Sequence, residues 1–266
     1  MFNYIEIEEI LTHAFINLRD EIKVSLKYNH SIDFNSGCLG ERLNFVLHGS
    51  KGQPSNGGGG FDADDGSEAK AVFLAQPGKC NDCGSKVHYY SQQCTCGSTN
   101  ITPKDDTRWG ISCAAHFKYE NDIPFYCFTS IEPINKSISS PSFRIRVFQI
   151  ETENKFFTQL LRFQLDHGRN NTKNFMPFGR DFHMSLPTEL LSVDLTIGNQ
   201  ITYSYNNTEP YVIDTFSSHL LTKVERELLN DVSIISVKDA VNIIGLKDNS
   251  THGKERGHTQ RKGLRC

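Results

Sequence analysis

Four of the eight cysteines of the chain fall into two closely spaced pairs. Cys80 and Cys83 form the first pair, Cys94 and Cys96 form the second, and a glycine directly follows each pair. Four thiolates can surround a zinc ion tetrahedrally, and a closed shell of four protein ligands leaves no position for a substrate. The spacing therefore predicts a structural zinc site, with two disulfides as the alternative and His88 as an alternative fourth ligand.

An acidic segment lies shortly before the cysteine pairs. If residues 64–66 form a three-residue hairpin loop with glycine in the left-handed position, Asp62 lies opposite Glu68 on one face. Lys70 points to the same face because side chains alternate along a strand. A two-residue loop at 65–66 would instead place Asp62 on the other face. With the three-residue loop, two carboxylates and one ammonium group converge.

These groups suit the binding of a hard cation. Two carboxylates about 5 Å apart can hold magnesium, and the backbone carbonyl of Ala69 is a further oxygen ligand. A bound magnesium ion lowers the pKa of a coordinated water and neutralises charge that develops on a phosphodiester. Lys70 would orient or deprotonate that water. The alternative is an ordinary solvated turn with a salt bridge.

The same residues resemble a known active-site signature. Asp62 followed by Glu68-Ala69-Lys70, on a strand that continues with apolar residues, is similar to the signature of the PD-(D/E)xK nuclease superfamily, which includes most type II restriction endonucleases. The resemblance covers roughly residues 38–150 through the order of the elements. It implies that Asp62 and Glu68 bind magnesium, that Lys70 assists the attacking water, and that Glu41 is an acidic residue contributed by the preceding helix.

The chain departs from this signature at two points. Phe61 stands where the family usually has proline, and the separation between Asp62 and Glu68 is short for the family. Asp64 is therefore an alternative metal ligand. A zinc-binding insert after this strand occurs in scattered members of the superfamily.

The hydrophobic pattern predicts the elements that position these residues. Apolar spacings of three and four indicate helices, and runs of aromatic and β-branched residues indicate strands. Helices are expected over residues 4–27, 39–47, 107–119, 155–166, 218–230 and 236–244. Strands are expected over residues 68–75, 125–131, 143–150 and, as a pair joined at 198–199, 191–205. The expected fold is α/β (α+β), with a mixed central sheet flanked by helices, a restriction-endonuclease-like core and a small four-cysteine zinc insert.

The composition is that of a folded protein without a strong overall charge. The 28 Lys and Arg against 31 Asp and Glu give a formal charge of -3, and 37% of the residues are hydrophobic. These values exclude a protein that is basic all over. No run of about 18 apolar residues occurs, and Glu6, Glu8 and Glu9 argue against a secretory signal. We therefore expect a cytoplasmic protein without a membrane partner, in which thiols stay reduced.

Basic residues outside the acidic segment are the candidate DNA contacts. Arg108 and Lys118 lie on the helix expected after the cysteines. Arg144 and Arg146 share the polar face of an expected strand, and Arg169 lies in a polar, amide-rich loop. Such side chains contact phosphates or base edges. The alternatives are solvated arginines and an ordinary surface loop.

Together with the resemblance, these residues imply a magnesium-dependent type II restriction endonuclease that hydrolyses phosphodiester bonds of double-stranded DNA at a specific sequence. Residues 1–150 would form the catalytic nuclease core, including the zinc insert at 79–100. Residues 151–266 would form a C-terminal extension for DNA recognition or dimerisation. A palindromic site calls for two active sites, so a homodimer is expected. The alternative is a noncatalytic, zinc-containing, sequence-specific DNA-binding protein in which the acidic segment is only a turn.

Overall fold

The computed structural model describes residues 3–53, 62–104, 108–111, 123–154, 157–158, 174–177, 187–207 and 209–212. Contacts divide the chain into two units, Met1–Thr215 and Phe216–Cys266, and every described residue belongs to the first unit. The helices expected at 218–230 and 236–244 lie outside the described residues, as does nearly all of the helix expected at 155–166. None of the described helices is both long and apolar enough to cross a membrane.

Two helices form the N-terminal part of the described chain. These are α1 (Tyr4–Phe15) and α2 (Leu18–Tyr28), so the single helix expected over 4–27 is wrong. The interruption falls at Asn17, whose carbonyl oxygen accepts the first hydrogen bonds of α2. Asparagine is among the poorer helix formers. The apolar spacing nevertheless continues across the break, because Phe15 and Leu18 are both buried.

The third helix, α3 (Ser36–His48), confirms the helix expected at 39–47. It begins after Asn35, whose side chain accepts a hydrogen bond from the backbone N–H of Cys38 at 3.1 Å. It ends at Gly49, which has a φ of 67°. An asparagine N-cap and a left-handed glycine are the usual signals for the two ends of a helix.

Eleven strands follow in the described part of the chain. They are β1 (Glu68–Phe73), β2 (Gly78–Cys80), β3 (Lys86–Val87), β4 (Ile101–Thr102), β5 (Arg108–Ile111), β6 (Phe125–Pro133), β7 (Ser142–Glu151), β8 (Asn174–Pro177), β9 (Thr188–Ile197), β10 (Ile201–Tyr205) and β11 (Tyr211–Val212). The main sheet has the order β1-β6-β7-β9-β10, and β11 also pairs with β9. Only the β1–β6 pair is parallel among the pairs of this sheet.

The mixed α+β fold class is thereby confirmed. The strands expected near 68–75, 125–131, 143–150 and 191–205 are all present. The region after residue 150, predicted to be an extension, supplies β9, β10 and β11 to the main sheet. Its task in DNA recognition or dimerisation stays a prediction. A separate three-stranded sheet of order β3-β2-β4 carries the cysteine pairs.

The helix expected at 107–119 is wrong at residues 108–111, which form β5, and the rest of it lies outside the described residues. This strand pairs with β8. The Trp109 side chain is 1% exposed, and its Nε1 donates a hydrogen bond to the Thr129 carbonyl at 3.0 Å. A burial contact with β6 therefore outweighs the local helical pattern, and such a contact is not visible in a short sequence window.

The two faces of the main sheet have different neighbours. One face and the N-terminal helices share a single core, which includes Ile7, Leu11, Phe15, Leu39, Leu43, Phe73, Ile131, Phe143 and Val147. Side-chain alternation directs Glu68 and Lys70 to the other face, where their partners in register are Tyr126 and Phe128. The aromatic ring of Trp109 packs edge-on against Phe128, with 5.6 Å between centroids.

Gly40 allows α3 to lie very close to β1. A Cβ atom at this position would come within 2.7 Å of the Cβ of Ala71. Real Cβ atoms do not approach each other this closely, so a larger residue would require α3 or β1 to move. The contact therefore fixes the distance between the helix that carries Glu41 and the strand that carries Glu68.

We expect Gly40→Ala to destabilise the protein by about 1–3 kcal/mol, because the added methyl group has no space. Denaturant unfolding measures this change. Gly40→Ala combined with Ala71→Gly should recover part of the loss. Gly37→Ala is the matched control in the same helix, since its Cβ would meet only the Asn35 side chain at 3.8 Å. Equal effects of Gly40→Ala and Gly37→Ala would contradict the close contact.

Candidate active site and metal centre

The acidic segment forms a tight turn directly before β1. Gly66 has a φ of 84°, and its N–H donates to the Ala63 carbonyl at 3.1 Å. The Ala63 N–H donates to the Ser67 carbonyl at 3.3 Å, and the Ser67 N–H donates to Asp65 Oδ1 at 2.9 Å. The turn is the three-residue loop with a left-handed glycine, so the expected register is confirmed.

Asp62, Glu68 and Lys70 converge in this register. Lys70 Nζ donates a hydrogen bond to the Glu68 carboxylate and lies 4.0 Å from Asp62 Oδ2. Asp62 Oδ2 accepts a hydrogen bond from the Ala69 N–H at 2.8 Å, and the Ala69 carbonyl accepts from Lys70 at 3.1 Å. The three side chains are 20–25% exposed. They are therefore mostly packed but still open to solvent.

Asp64 faces a different partner. Its Oδ1 accepts a hydrogen bond from the Lys51 N–H at 2.8 Å, and its own N–H donates to the Lys51 carbonyl at 2.8 Å. Asp64 thus ties the turn to the segment that follows α3. Asp62, and not Asp64, is the aspartate beside Lys70.

Glu41 of α3 adds a third carboxylate to this cluster. Burial raises the pKa of Glu41, and the charge of Asp62 raises it further. Burial also raises the pKa of Glu68, although Lys70 opposes this shift. One lysine cannot neutralise three carboxylates, so the group carries excess negative charge when all are ionised. A divalent cation with oxygen ligands would neutralise that charge.

The two cysteine pairs meet in the small sheet. The four Sγ atoms of Cys80, Cys83, Cys94 and Cys96 all lie within 4.8 Å of one another. Cys80 and Cys96 are 3.7 Å apart at sulfur, and Cys83 and Cys94 are 3.5 Å apart. With zinc–sulfur bonds of about 2.3 Å, sulfurs of a tetrahedral site stand about 3.8 Å apart. The four thiols therefore fit a zinc ion.

Each cysteine pair ends in a turn that contains a glycine in the left-handed conformation. Gly84 and Gly97 have φ values of 76° and 89°. Each donates its N–H to the carbonyl of the first cysteine of its pair at 2.9 Å. A hydrogen bond from Ser85 is the main cause that lowers the pKa of Cys83 to about 6. Hydrogen bonds to the backbone at Cys83 and Asp82 also lower the pKa of Cys80. A hydrogen bond to the Ser98 backbone lowers the pKa of Cys96, but hydrogen bonds with the other three thiols raise it to about 12. The first pair thus presents thiols that ionise readily, as a zinc ligand must.

His88 is not part of the thiol cluster. Its Nδ1 accepts a hydrogen bond from the Tyr90 N–H at 3.2 Å, so Nε2 carries the proton and donates to Ser25 Oγ at 2.9 Å. Ser25 Oγ in turn donates to the Ile22 carbonyl at 3.1 Å. Burial lowers the pKa of His88, in keeping with a neutral ring. This side chain therefore attaches the cysteine insert to α2.

The remaining described cysteines differ from each other. Cys127 is a free thiol with 1% exposure, as expected for a buried apolar residue. Cys38 takes part in a disulfide.

Arg144 and Arg146 are held in ion pairs on one face of the sheet. Arg144 donates to Asp194 through Nε at 2.8 Å and through Nη2 at 2.9 Å. Arg146 Nε donates to Glu189, whose side chain is 2% exposed. Neither arginine is simply solvated. DNA contact stays a prediction for both, and for the residues whose side chains lie outside the described part, Arg108, Lys118 and Arg169.

Comparison with known proteins identifies the family. The family model of the MamI restriction endonuclease matches residues 23–208, which is more than half of the chain. The chain belongs to the MamI restriction endonuclease family. No curated protein and no solved structure matches it. The part shared with the MamI family includes the acidic cluster at the start of β1 and both cysteine pairs.

Membership of the MamI family confirms the restriction endonuclease expected from the sequence. It indicates an endodeoxyribonuclease that cleaves DNA in a sequence-specific manner, with DNA as its partner. Glu41 and the cluster of Asp62, Glu68 and Lys70 all lie within the matched residues. For a MamI family member, this cluster is the candidate active site.

The carboxylate cluster predicts a pH-dependent difference in stability. A raised pKa means that the folded state binds the proton more tightly, so stability is lost as the pH rises through the raised value. In metal-free buffer at pH 8, Glu41→Gln should therefore have a higher Tm than the parent, by about 1–2 °C, since solvent screens part of the repulsion. The difference should shrink towards pH 4. A difference that is constant with pH would contradict this origin.

The cysteine cluster predicts a bound zinc ion that the two exposed ligands help to hold. We expect about one zinc per chain by elemental analysis, and loss of most of it in Cys83→Ser or Cys96→Ser. These two cysteines are exposed, so a packing defect would not explain the loss. Cys127→Ser is the control and should keep its zinc. Retention of zinc in both exposed-ligand variants would contradict the site.

Proposed function

We propose that the chain is a type II restriction endonuclease of the PD-(D/E)xK superfamily. It hydrolyses phosphodiester bonds of double-stranded DNA at a specific sequence and depends on magnesium. The observation that carries this proposal is the convergence of Asp62, Glu68 and Lys70 at the start of β1, with Glu41 close by. Family membership supports DNA cleavage, and the cluster supplies the groups that magnesium-dependent hydrolysis needs.

Asp62 and Glu68 would hold the magnesium ion, and the Ala69 carbonyl is a third oxygen beside them. The bound ion would lower the pKa of a coordinated water and neutralise charge on the phosphodiester. Carboxylate and carbonyl oxygens are the protein ligands that magnesium prefers. Burial raises the pKa values of Glu41 and Glu68, and the charge of Asp62 raises both further. The excess negative charge of the cluster supports this assignment, because a cation would offset the part that comes from neighbouring carboxylates.

Lys70 would position the attacking water. Its ammonium group already lies between the Glu68 carboxylate, the Asp62 carboxylate and the Ala69 carbonyl. Hydrogen bonds to Glu68 and to the Ala69 carbonyl use two of its three N–H donors and fix its direction. The third donor would orient a water oxygen towards phosphorus. It would also stabilise the negative charge that develops on the phosphate.

The rest of the chain would bind DNA and support the active site. We propose phosphate or base contacts for Arg108, Lys118, Arg144, Arg146 and Arg169. Arg144 and Arg146 support this, because they lie on the sheet face to which Lys70 points. The zinc site would be structural, since four thiols close its ligand shell. Cleavage of both strands of a palindromic site would require a homodimer with one active site per chain.

We expect Asp62→Asn and Lys70→Ala to lower the cleavage rate in magnesium by about 100-fold or more, because each removes a group from the reacting centre. Asp64→Asn is the matched control two residues away, and its rate should stay within about threefold of the parent. A time course of digestion of a DNA of known sequence measures the rate, and mapping of the fragment ends gives the site.

Parent-like cleavage by Asp62→Asn and Lys70→Ala would refute the proposed active site. A gel shift with sequence preference, together with no cleavage by the parent in magnesium, would instead support a noncatalytic zinc-containing DNA-binding protein. Asp62→Asn should still bind DNA in the absence of magnesium, which separates loss of chemistry from loss of binding.

A further inference from the structure

We propose that Asn44 and Ser67 are positioning residues for the acidic cluster. Their hydrogen bond fixes α3 against the turn and thereby sets the place of Glu41 relative to Asp62 and Glu68. This inference rests on the proposed function, because it takes the cluster to be the magnesium site. Neither residue belongs to the signature that the sequence shares with the nuclease superfamily.

The hydrogen bond is buried at the base of the turn. Asn44 Nδ2 donates to Ser67 Oγ at 2.8 Å, and both side chains are 0% exposed. The backbone of Ser67 is held as well, by Asp65 Oδ1 and by the Ala63 N–H. Ser67 directly precedes Glu68, and Ala63 directly follows Asp62. Holding Ser67 therefore holds the backbone beside both carboxylates.

On the helix side, Asn44 is one turn away from Glu41. Residues three apart in a helix lie on the same face, so both point towards the start of β1. Gly40 fixes the distance between α3 and β1 through its contact with Ala71. The hydrogen bond from Asn44 then fixes the position of α3 along the strand.

The bond is a poor choice for stability alone. Asn44 Oδ1 is buried and has no hydrogen-bond partner among the described residues. A buried polar atom left in this way destabilises the folded state, whereas replacing both partners by apolar groups of similar shape is close to neutral. An apolar pair would thus serve the packing equally well. The hydrogen bond between Asn44 and Ser67 is instead explained by the fixed position of α3 relative to the turn.

The test removes both polar partners with little change in shape, in Asn44→Leu/Ser67→Ala. We expect the midpoint of denaturant unfolding to stay the same or rise. We expect the magnesium concentration that gives half of the maximal rise in Tm to increase about tenfold. This factor corresponds to a loss of about 1.4 kcal/mol in the free energy of magnesium binding. The concentration for half-maximal cleavage should increase by the same factor. Magnesium is the probe in both measurements.

The control is Thr12→Val/Tyr203→Phe, which removes a 2.6 Å hydrogen bond that likewise joins a helix to a strand. It should leave the magnesium dependence unchanged. The inference is overturned if Asn44→Leu/Ser67→Ala keeps the parent's magnesium dependence, or if it unfolds or loses stability, because the bond would then be structural. Asp62→Asn separates the two proposals. If Asp62→Asn retains the magnesium-dependent rise in Tm, the proposed magnesium site itself is refuted. If Asp62→Asn loses this rise while Asn44→Leu/Ser67→Ala keeps the parent's magnesium dependence, only the positioning role is refuted.

Discussion

Repulsion among carboxylates at the start of β1 is the constraint around which the described structure is arranged. Asp62, Glu68 and Glu41 would move apart if they were free, and one lysine beside them offsets only part of the charge. Three independent devices hold them together. The turn fixes Asp62 opposite Glu68, the glycine contact brings α3 close, and the pairing of β1 with β6 anchors the strand in the sheet. A site that binds a cation needs this enforced proximity before the cation arrives.

The cysteine insert, unlike the acidic cluster, is held together by local contacts. Its folding is local, because the two turns and the short strands make their hydrogen bonds within residues 78–102. It joins the rest of the molecule through a few buried contacts, chiefly the hydrogen bond between His88 and Ser25 and the packing of Tyr90 in the main core. The insert can therefore depend on a metal without exposing the acidic cluster to that metal.

Local chemistry made much of the site predictable from the sequence. The turn before β1 and the thiol cluster both follow from residue types at short spacing, and both are present. Long-range contacts were not predictable. Trp109 turns an expected helix into a strand because it is buried against β6, and the partners of Arg144 become visible only when β7 pairs with β9. Asn44 was missed for the same reason, although its helical spacing from Glu41 was a readable signal.

The single parallel pair of the main sheet has a consequence for how the molecule assembles. Parallel neighbours cannot be joined by a tight turn, so β1 and β6 are separated by the long connection over residues 74–124, and the cysteine pairs lie within it. The entropy cost of closing a loop grows with its length. A metal that cross-links residues 80–96 shortens the free part of this loop. A bound zinc ion would therefore reduce the entropy cost of closing the connection between β1 and β6. It would favour formation of the main sheet even though it does not take part in DNA cleavage.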